Sequence, residues 1–372
     1  MRLITILALF AIAAPSEAAP RDLSKLLEPI RKQHEVPALG GAIVKGGKLE
    51  AIGAVGVRKL GSDKAVTVDD LWHLGSCTKA MTATLLARAV ERGDFAWETT
   101  LPKALPAFKG MDPGYRDVTL DDLVRNRGGA PADLSADGLW MRLWQRKGTP
   151  TQQRRALANG VLTKAPLFPR GEKYLYSNAG FAIAGYALEV KAKKPWETLM
   201  RKELFEPLGM KSAGFGAPGK GMDQPWGHAA QGARVVPVAP GPQADNPPAI
   251  GPAGTVHATL ADWSKFVALH LQAAQDGKED LLLKRATLRR LHTPRKGETY
   301  AAGWVVAERP WGGGRVLNHN GSNTMWYCVT WLAPKKGFAV LLTCNQGGPK
   351  AAKACDVAAG ALIRDVLAQE RK

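Results

Sequence analysis

The chain has 372 residues, 45% hydrophobic and 23% charged, which is enough to bury one large core or two linked ones and excludes a disordered chain. Its 51 Lys and Arg outnumber 33 Asp and Glu, leaving a formal charge of +18. The 40 Gly, 25 Pro and 11 Trp describe a turn-rich globular protein rather than a coiled coil or fibre, and 4 Cys are too few for a disulfide scaffold.

Met1-Arg2 gives a positive start, residues 3–14 are an almost unbroken apolar run, and Ser16-Glu17-Ala18 puts small residues at the positions that define a cleavage site. The pattern predicts a signal peptide over residues 1–19 and an exported protein, periplasmic or secreted. A run of about 12 residues falls short of the roughly 20 that a spanning helix needs. No Cys near the cut offers an acylation site.

Residues 23–34 read as a helix, and 42–45 and 48–57 as strands joined by a Gly46-Gly47 hairpin turn. From 78 to 92 the apolar positions Met81, Leu85, Leu86, Ala89 and Val90 recur at helical spacing, with Gly93 placed to end the helix. Thr119 caps a short helix over 120–124, and 178–190 forms an apolar one. Residues 214–254, dense in Gly and Pro, read as a long loop. A helix over 260–271 follows, then strands at 302–307, 325–332 and 337–344, the last two joined by the turn Pro334-Lys335-Lys336-Gly337. A final helix covers 350–367.

Strands at both ends with helices between predict an α+β fold: an antiparallel sheet built from the N- and C-terminal segments, flanked by helices, with a mostly helical insertion. The expected division is a discontinuous sheet domain, 20–75 with 255–372, around a helical domain, 76–254. A Cys344–Cys355 bridge is compatible with the pattern, while Cys77 and Cys328 read as small buried hydrophobes. The basic group Lys284, Arg285, Arg289, Arg290, Arg295 and Lys296 reads as a solvated helix face. No nucleic-acid motif accompanies it, and contact with anionic cell-envelope polymers stays open. The sequence does not fix the oligomeric state.

Ser76-Cys77-Thr78-Lys79 opens the strongest helix. Three residues of helix bring the Lys79 amine toward the Ser76 hydroxyl, and a lysine made neutral by desolvation or by nearby positive charge can take the serine proton. A capping Ser followed by a surface Lys would give the same four letters. Tyr176-Ser177-Asn178 places a phenol and an amide at another helix start, where a nearby cation would lower the phenol's pKa. Core Tyr and capping Asn are the plainer alternative. His319-Asn320-Gly321-Ser322 lies by a strand edge, where Gly321 permits close backbone approach and the Ser322 N–H can become an oxyanion donor beside that of Ser76. Seven scattered His contain no His-Glu-x-x-His pair, and no Gly-x-Ser-x-Gly elbow is present.

In this order, Ser76-x-x-Lys79, Tyr176-x-Asn178 and His319-x-Gly321 resemble the motifs of the serine β-lactamase and penicillin-binding-protein-like hydrolases. The resemblance is to the branch with class C β-lactamases, D-alanyl-D-alanine carboxypeptidases and related esterases. The segments 118–131, Pro207-Leu208-Gly209-Met210, Ala253-Gly254 and Ala261-Asp262-Trp263 are similar as well, so the likeness spans about 25–365. It implies that Ser76 forms an acyl-enzyme, Lys79 and Tyr176 share proton transfer, and Asn178, His319, Gly321 and Ser322 bind substrate. No cofactor or metal is implied.

Two departures bear on specificity. Where many relatives have Lys-Thr-Gly, whose cation holds a substrate carboxylate, this chain has His319-Asn320-Gly321, and Asn126-Arg127-Gly128-Gly129 replaces His-Thr-Ser-Gly. Arg127 is either a substitute cation or, more simply, a salt-bridge partner. Of Trp326 and Tyr327, strand alternation lets at most one line the acyl pocket. The expected activity is that of an exported serine hydrolase acting on a small ester or amide. The alternatives are a true β-lactamase or D-alanyl-D-alanine carboxypeptidase, and a non-catalytic penicillin-binding-like sensing protein.

Overall fold

The computed structural model describes residues 19–232, 234–274 and 282–371, so the expected signal segment lies outside the described residues except at Ala19. Seven strands form one sheet: β1 (Arg21–Asp22), β2 (Ala38–Lys45), β3 (Lys48–Gly56), β4 (Val305–Arg309), β5 (Gly314–Ser322), β6 (Tyr327–Ala333) and β7 (Phe338–Cys344). Their order is β1-β3-β2-β7-β6-β5-β4. Every pair is antiparallel except β1 with β3, so the sheet is mixed at one edge. The β2–β7 pairing, running from Phe338↔Lys45 to Cys344↔Leu39, joins the two ends of the chain.

The longer helices include α1 (Ser24–Gln33), α2 (Thr78–Glu91), α3 (Asn178–Ala192), α4 (Leu260–Leu271) and α5 (Pro349–Gln369); a further long one, Pro150–Leu162, packs on α3 in the helical middle of the chain. All of β7 is buried because both of its faces are covered, and its sequence is accordingly a continuous apolar run. α1 and α5 close one face over Leu27, Leu342 and Leu362. On the other face α4 joins a larger core that runs through Trp72, Met81, Phe181 and Trp263 into the helical middle of the chain. Burying each such large side chain contributes about 1.5–3 kcal/mol. Among the described residues, no helix is long and apolar enough to cross a membrane.

Both hairpin turns form as expected, with Gly46 (φ 58°) and Gly47 (φ 80°) in the left-handed region between Lys45 and Lys48. Three expectations change. β5 was not anticipated, because Gly314, Asn318, Asn320 and Gly321 are poor strand formers that only pairing with β4 and β6 holds extended. Residues 214–254 are not one long loop. Gly227–Gln231 pairs with Arg234–Val238, and Gly214–Phe215 joins Val256–Ala258 and Trp72–His73 in a small sheet. Cys344 and Cys355 carry free, buried thiols and are not bridged.

The basic group partly serves internal pairing. Arg295 reaches Asp122 at 2.5 Å and Asp121 at 3.3 Å, and the Arg290 guanidinium lies 4.8 Å over the Trp97 ring.

Candidate active site

Ser76 sits on the short turn Gly75–Cys77 that leads from the small sheet into α2, and Lys79 is the second residue of that helix. Lys79 is fully buried. Its Nζ lies 3.0 Å from Ser76 Oγ, 2.8 Å from Asn178 Oδ1 and 2.8 Å from the Ala253 carbonyl. Burial pulls the amine down to about 7, and among the described residues no carboxylate offsets that effect. A neutral amine fits these partners: two N–H bonds donate to the two carbonyl oxygens, and the lone pair faces the Ser76 hydroxyl.

α3 starts where Ser177 caps it, its Oγ accepting from the Gly180 N–H at 3.2 Å, and this start delivers Asn178 and Tyr176 to the lysine. Lys79 Nζ stands 4.6 Å over the Tyr176 ring. Burial raises the phenol well above its ordinary value, outweighing an opposing hydrogen bond with Ser76. The expected lowering by a neighbouring cation is therefore overridden: with Lys79 itself desolvated, no permanent positive charge among the described residues stands beside the phenol.

The third motif lies on β5 itself rather than beside a strand edge. Gly75 and Gly321 make the close approach. A Cβ at Gly75, whose φ is 45°, would fall 2.4 Å from Ser322 N. One at Gly321 would fall 2.1 Å from the Leu74 carbonyl and 2.8 Å from Ser76 N. Only glycines let the segments carrying the Ser76 and Ser322 N–H groups meet. The Ser322 hydroxyl is engaged in its own turn, donating to the Trp326 carbonyl at 2.6 Å.

His319 is buried, its Nδ1 2.6 Å from the Asn320 carbonyl and its Nε2 3.2 Å from Tyr300 Oη. A carbonyl only accepts, so Nδ1 carries a proton, while Nε2 shares a hydrogen bond with the tyrosine hydroxyl. Both ring nitrogens are thereby occupied. Cys77 turns toward β6, its Sγ 3.5 Å from that of Cys328. Trp326 packs edge-on against Trp72 in the core, and Tyr327 packs on the other face of the sheet, against the core under α5. Arg127 pairs with Glu298 at 2.5 Å, the salt-bridge alternative of the two.

Sequence reasoning missed Tyr300 and gave Asn126 no role beyond its place in a divergent motif. Tyr300, fully enclosed, stands edge-on to Tyr176 with ring centroids 6.3 Å apart and fixes the His319 ring. Asn126, at φ 59°, accepts from the Leu175 N–H with its carbonyl and from the Ser177 N–H with its Oδ1, both at 3.0 Å, holding the backbone on either side of Tyr176. Nothing local marks Tyr300, whereas Asn before Arg-Gly-Gly is a recognisable left-handed turn residue.

A penicillin-binding protein 4 from Amycolatopsis lactamdurans is 27% identical over 331 residues, 86% of this chain and 84% of that protein. The octameric penicillin-binding protein homologue from Pyrococcus abyssi shares the fold with a TM-score of 0.74 at 21% identity, covering 92% of this chain and 76% of that one. The D-alanine carboxypeptidase AmpC from Burkholderia cenocepacia does so with a TM-score of 0.71 at 22% identity, covering 91% and 97%. The profile of the family described as Beta-lactamase matches residues 23–363. Because that match runs through nearly every described element, from α1 into α5, the chain belongs to the Beta-lactamase family and shares its general serine-hydrolase, acyl-enzyme chemistry.

Proposed function

We propose that the protein is an exported serine hydrolase that cleaves small, uncharged esters or amides, with Ser76 as nucleophile and Lys79 as base. The observation that carries this reading is the buried Lys79 amine, pulled to about 7 and 3.0 Å from Ser76 Oγ. Neutral Lys79 takes the hydroxyl proton as Ser76 Oγ attacks the substrate carbonyl. The oxyanion is received by the N–H groups of Ser76 and Ser322. Tyr176, kept protonated by burial, passes its proton to the leaving group and takes one back from the Lys79 ammonium. The acyl-enzyme is then hydrolysed by a water that the same pair activates. Asn178 holds Lys79 and the substrate, and Gly321 keeps the second donor in range.

The substrate class follows from His319. With Tyr300 on one ring nitrogen and the Asn320 carbonyl on the other, neither nitrogen is free to hold a substrate carboxylate. Esters without a carboxylate are favoured over β-lactams and D-alanyl peptides. The wild type is expected to react with a fluorophosphonate and to turn over nitrophenyl acetate, with little turnover of a chromogenic cephalosporin. Equal labelling of Ser76→Ala would place the nucleophile elsewhere. Cephalosporin turnover matching that of the ester would favour a β-lactamase, and stoichiometric acylation without turnover a binding protein. Export is tested by the N-terminus of the protein recovered from its host, expected near Ala19 or Pro20.

A further inference from the structure

We infer that Asp245 is a positioning residue, a clamp that sets the spacing of the two backbone segments assigned to the oxyanion hole. The inference rests on the hydrolase reading above. His73, Asp245 and Asn323 are all buried, at 1%, 3% and 3% exposure, and none belongs to the motifs that carry the chemistry. His73 Nδ1 accepts from the Gly75 N–H at 3.1 Å, and its Nε2 lies 2.9 Å from Asp245 Oδ1, a close polar contact that is not aligned as a hydrogen bond. The same carboxylate oxygen accepts from Asn323 Nδ2 at 3.2 Å and from the Asn246 N–H at 2.7 Å.

Gly75 immediately precedes the nucleophile, and Asn323 immediately follows Ser322. One oxygen therefore bonds the residue after the second donor and packs against His73, the ring that takes the N–H of the residue before the first. These are the segments that touch at Gly75 and Ser322, where there is no room for a single Cβ. The clamp is itself anchored, since Arg146 Nη2 donates to the Asp245 and Asn246 carbonyls at 2.5 and 3.1 Å, fixing the segment that carries the carboxylate. Among the described residues, neither Asp245 Oδ2 nor His73 Nε2 has a hydrogen-bond partner. Replacing Asp245 Oδ2 by an amide nitrogen thus removes the charge and keeps the working acceptor.

Asp245→Leu is expected to lower kcat for nitrophenyl acetate about 100-fold, with KM within about threefold, because donor placement matters most in the tetrahedral state. Affinity for a phenylboronic acid, whose adduct on Ser76 puts an oxygen between the donors, falls in step with kcat. Asp245→Asn restores most of both. If Asp245→Leu does not fold, Asn323→Ala cuts one arm of the clamp and carries the same test with a smaller loss. Amide hydrogen exchange in peptides covering residues 74–76 and 321–323 reads the clamp without reference to turnover, and is expected to rise in Asp245→Leu but not in Asp245→Asn. Unchanged exchange, or an Asp245→Asn variant as impaired as Asp245→Leu, overturns the clamp. A wild type that neither turns over ester nor takes up fluorophosphonate overturns the hydrolase reading instead, and the exchange result then decides the clamp.

Discussion

Lys79 shows how desolvation outweighs chain position. The sequence offers two reasons for a neutral lysine, burial and the positive end of α2, and burial is the effect that moves the amine to about 7. As pH rises through 7, Lys79 gives up its proton, and on the proposed mechanism it then serves as the base. kcat/KM for an ester should climb about tenfold per pH unit below 7 and level above it. Lys79→Met should lose that limb and fall about 10³-fold or more, as a pH profile of ester hydrolysis will show. The folded chain sheds a proton that the unfolded chain keeps up to about 10.4, so the cost of burying this amine is fully present below pH 7 and is relieved as pH rises from about 7 to 10.4. Ser76 and Lys79 were legible because helical spacing brings them together. The Tyr300–His319 contact was not, since tertiary packing alone makes it. Asn126→Gly keeps the positive φ and deletes the Oδ1 acceptor, which isolates the hold on Tyr176. A drop of about tenfold in kcat, with near wild-type KM, is the expected result in ester kinetics.

Among the elements, helices were the easiest to foresee. Those over 120–124 and 260–271 match their expected bounds, and α2 falls one residue short of its own. Their signal is local, from apolar recurrence and caps such as Thr119. β5 hid because its residues favour turns, and it carries His319, Gly321 and Ser322. The composition that obscured it is what the site requires, because a strand with a normal side chain at 321 could not lie against Leu74 and Ser76. Gly321→Ala should therefore lower kcat about 10²-fold while the protein still folds, to be checked by ester kinetics beside a thermal melt. Residues 214–254 misled in the same way, since the glycines mark turns between short strands rather than the absence of structure.

At the scale of the whole molecule, buried histidines set an acid limit. Burial lowers His292 to about 3 and His257 to about 4, and lowers His270 well below its ordinary value. The unfolded chain takes up protons on these groups near pH 6.5, whereas the folded chain refuses them until far lower pH. Stability is then lost as pH falls from about 6.5, by up to about 1.4 kcal/mol per pH unit for each group. Denaturant midpoints measured from pH 7 to 4.5 should decline, and His292→Gln should flatten the decline. The general α+β plan was readable from strands at both ends of the sequence, but the mixed edge at β1 and β3 rests on a two-residue pairing that no pattern announces. The pairing of β2 with β7 has a temporal consequence. A ribosome finishes the Gly75–Cys77 turn long before it makes residues 338–344, the strand that holds the first hairpin to the rest of the sheet. A nascent chain thus carries Ser76, Lys79 and Tyr176 long before the strand that completes the sheet around them.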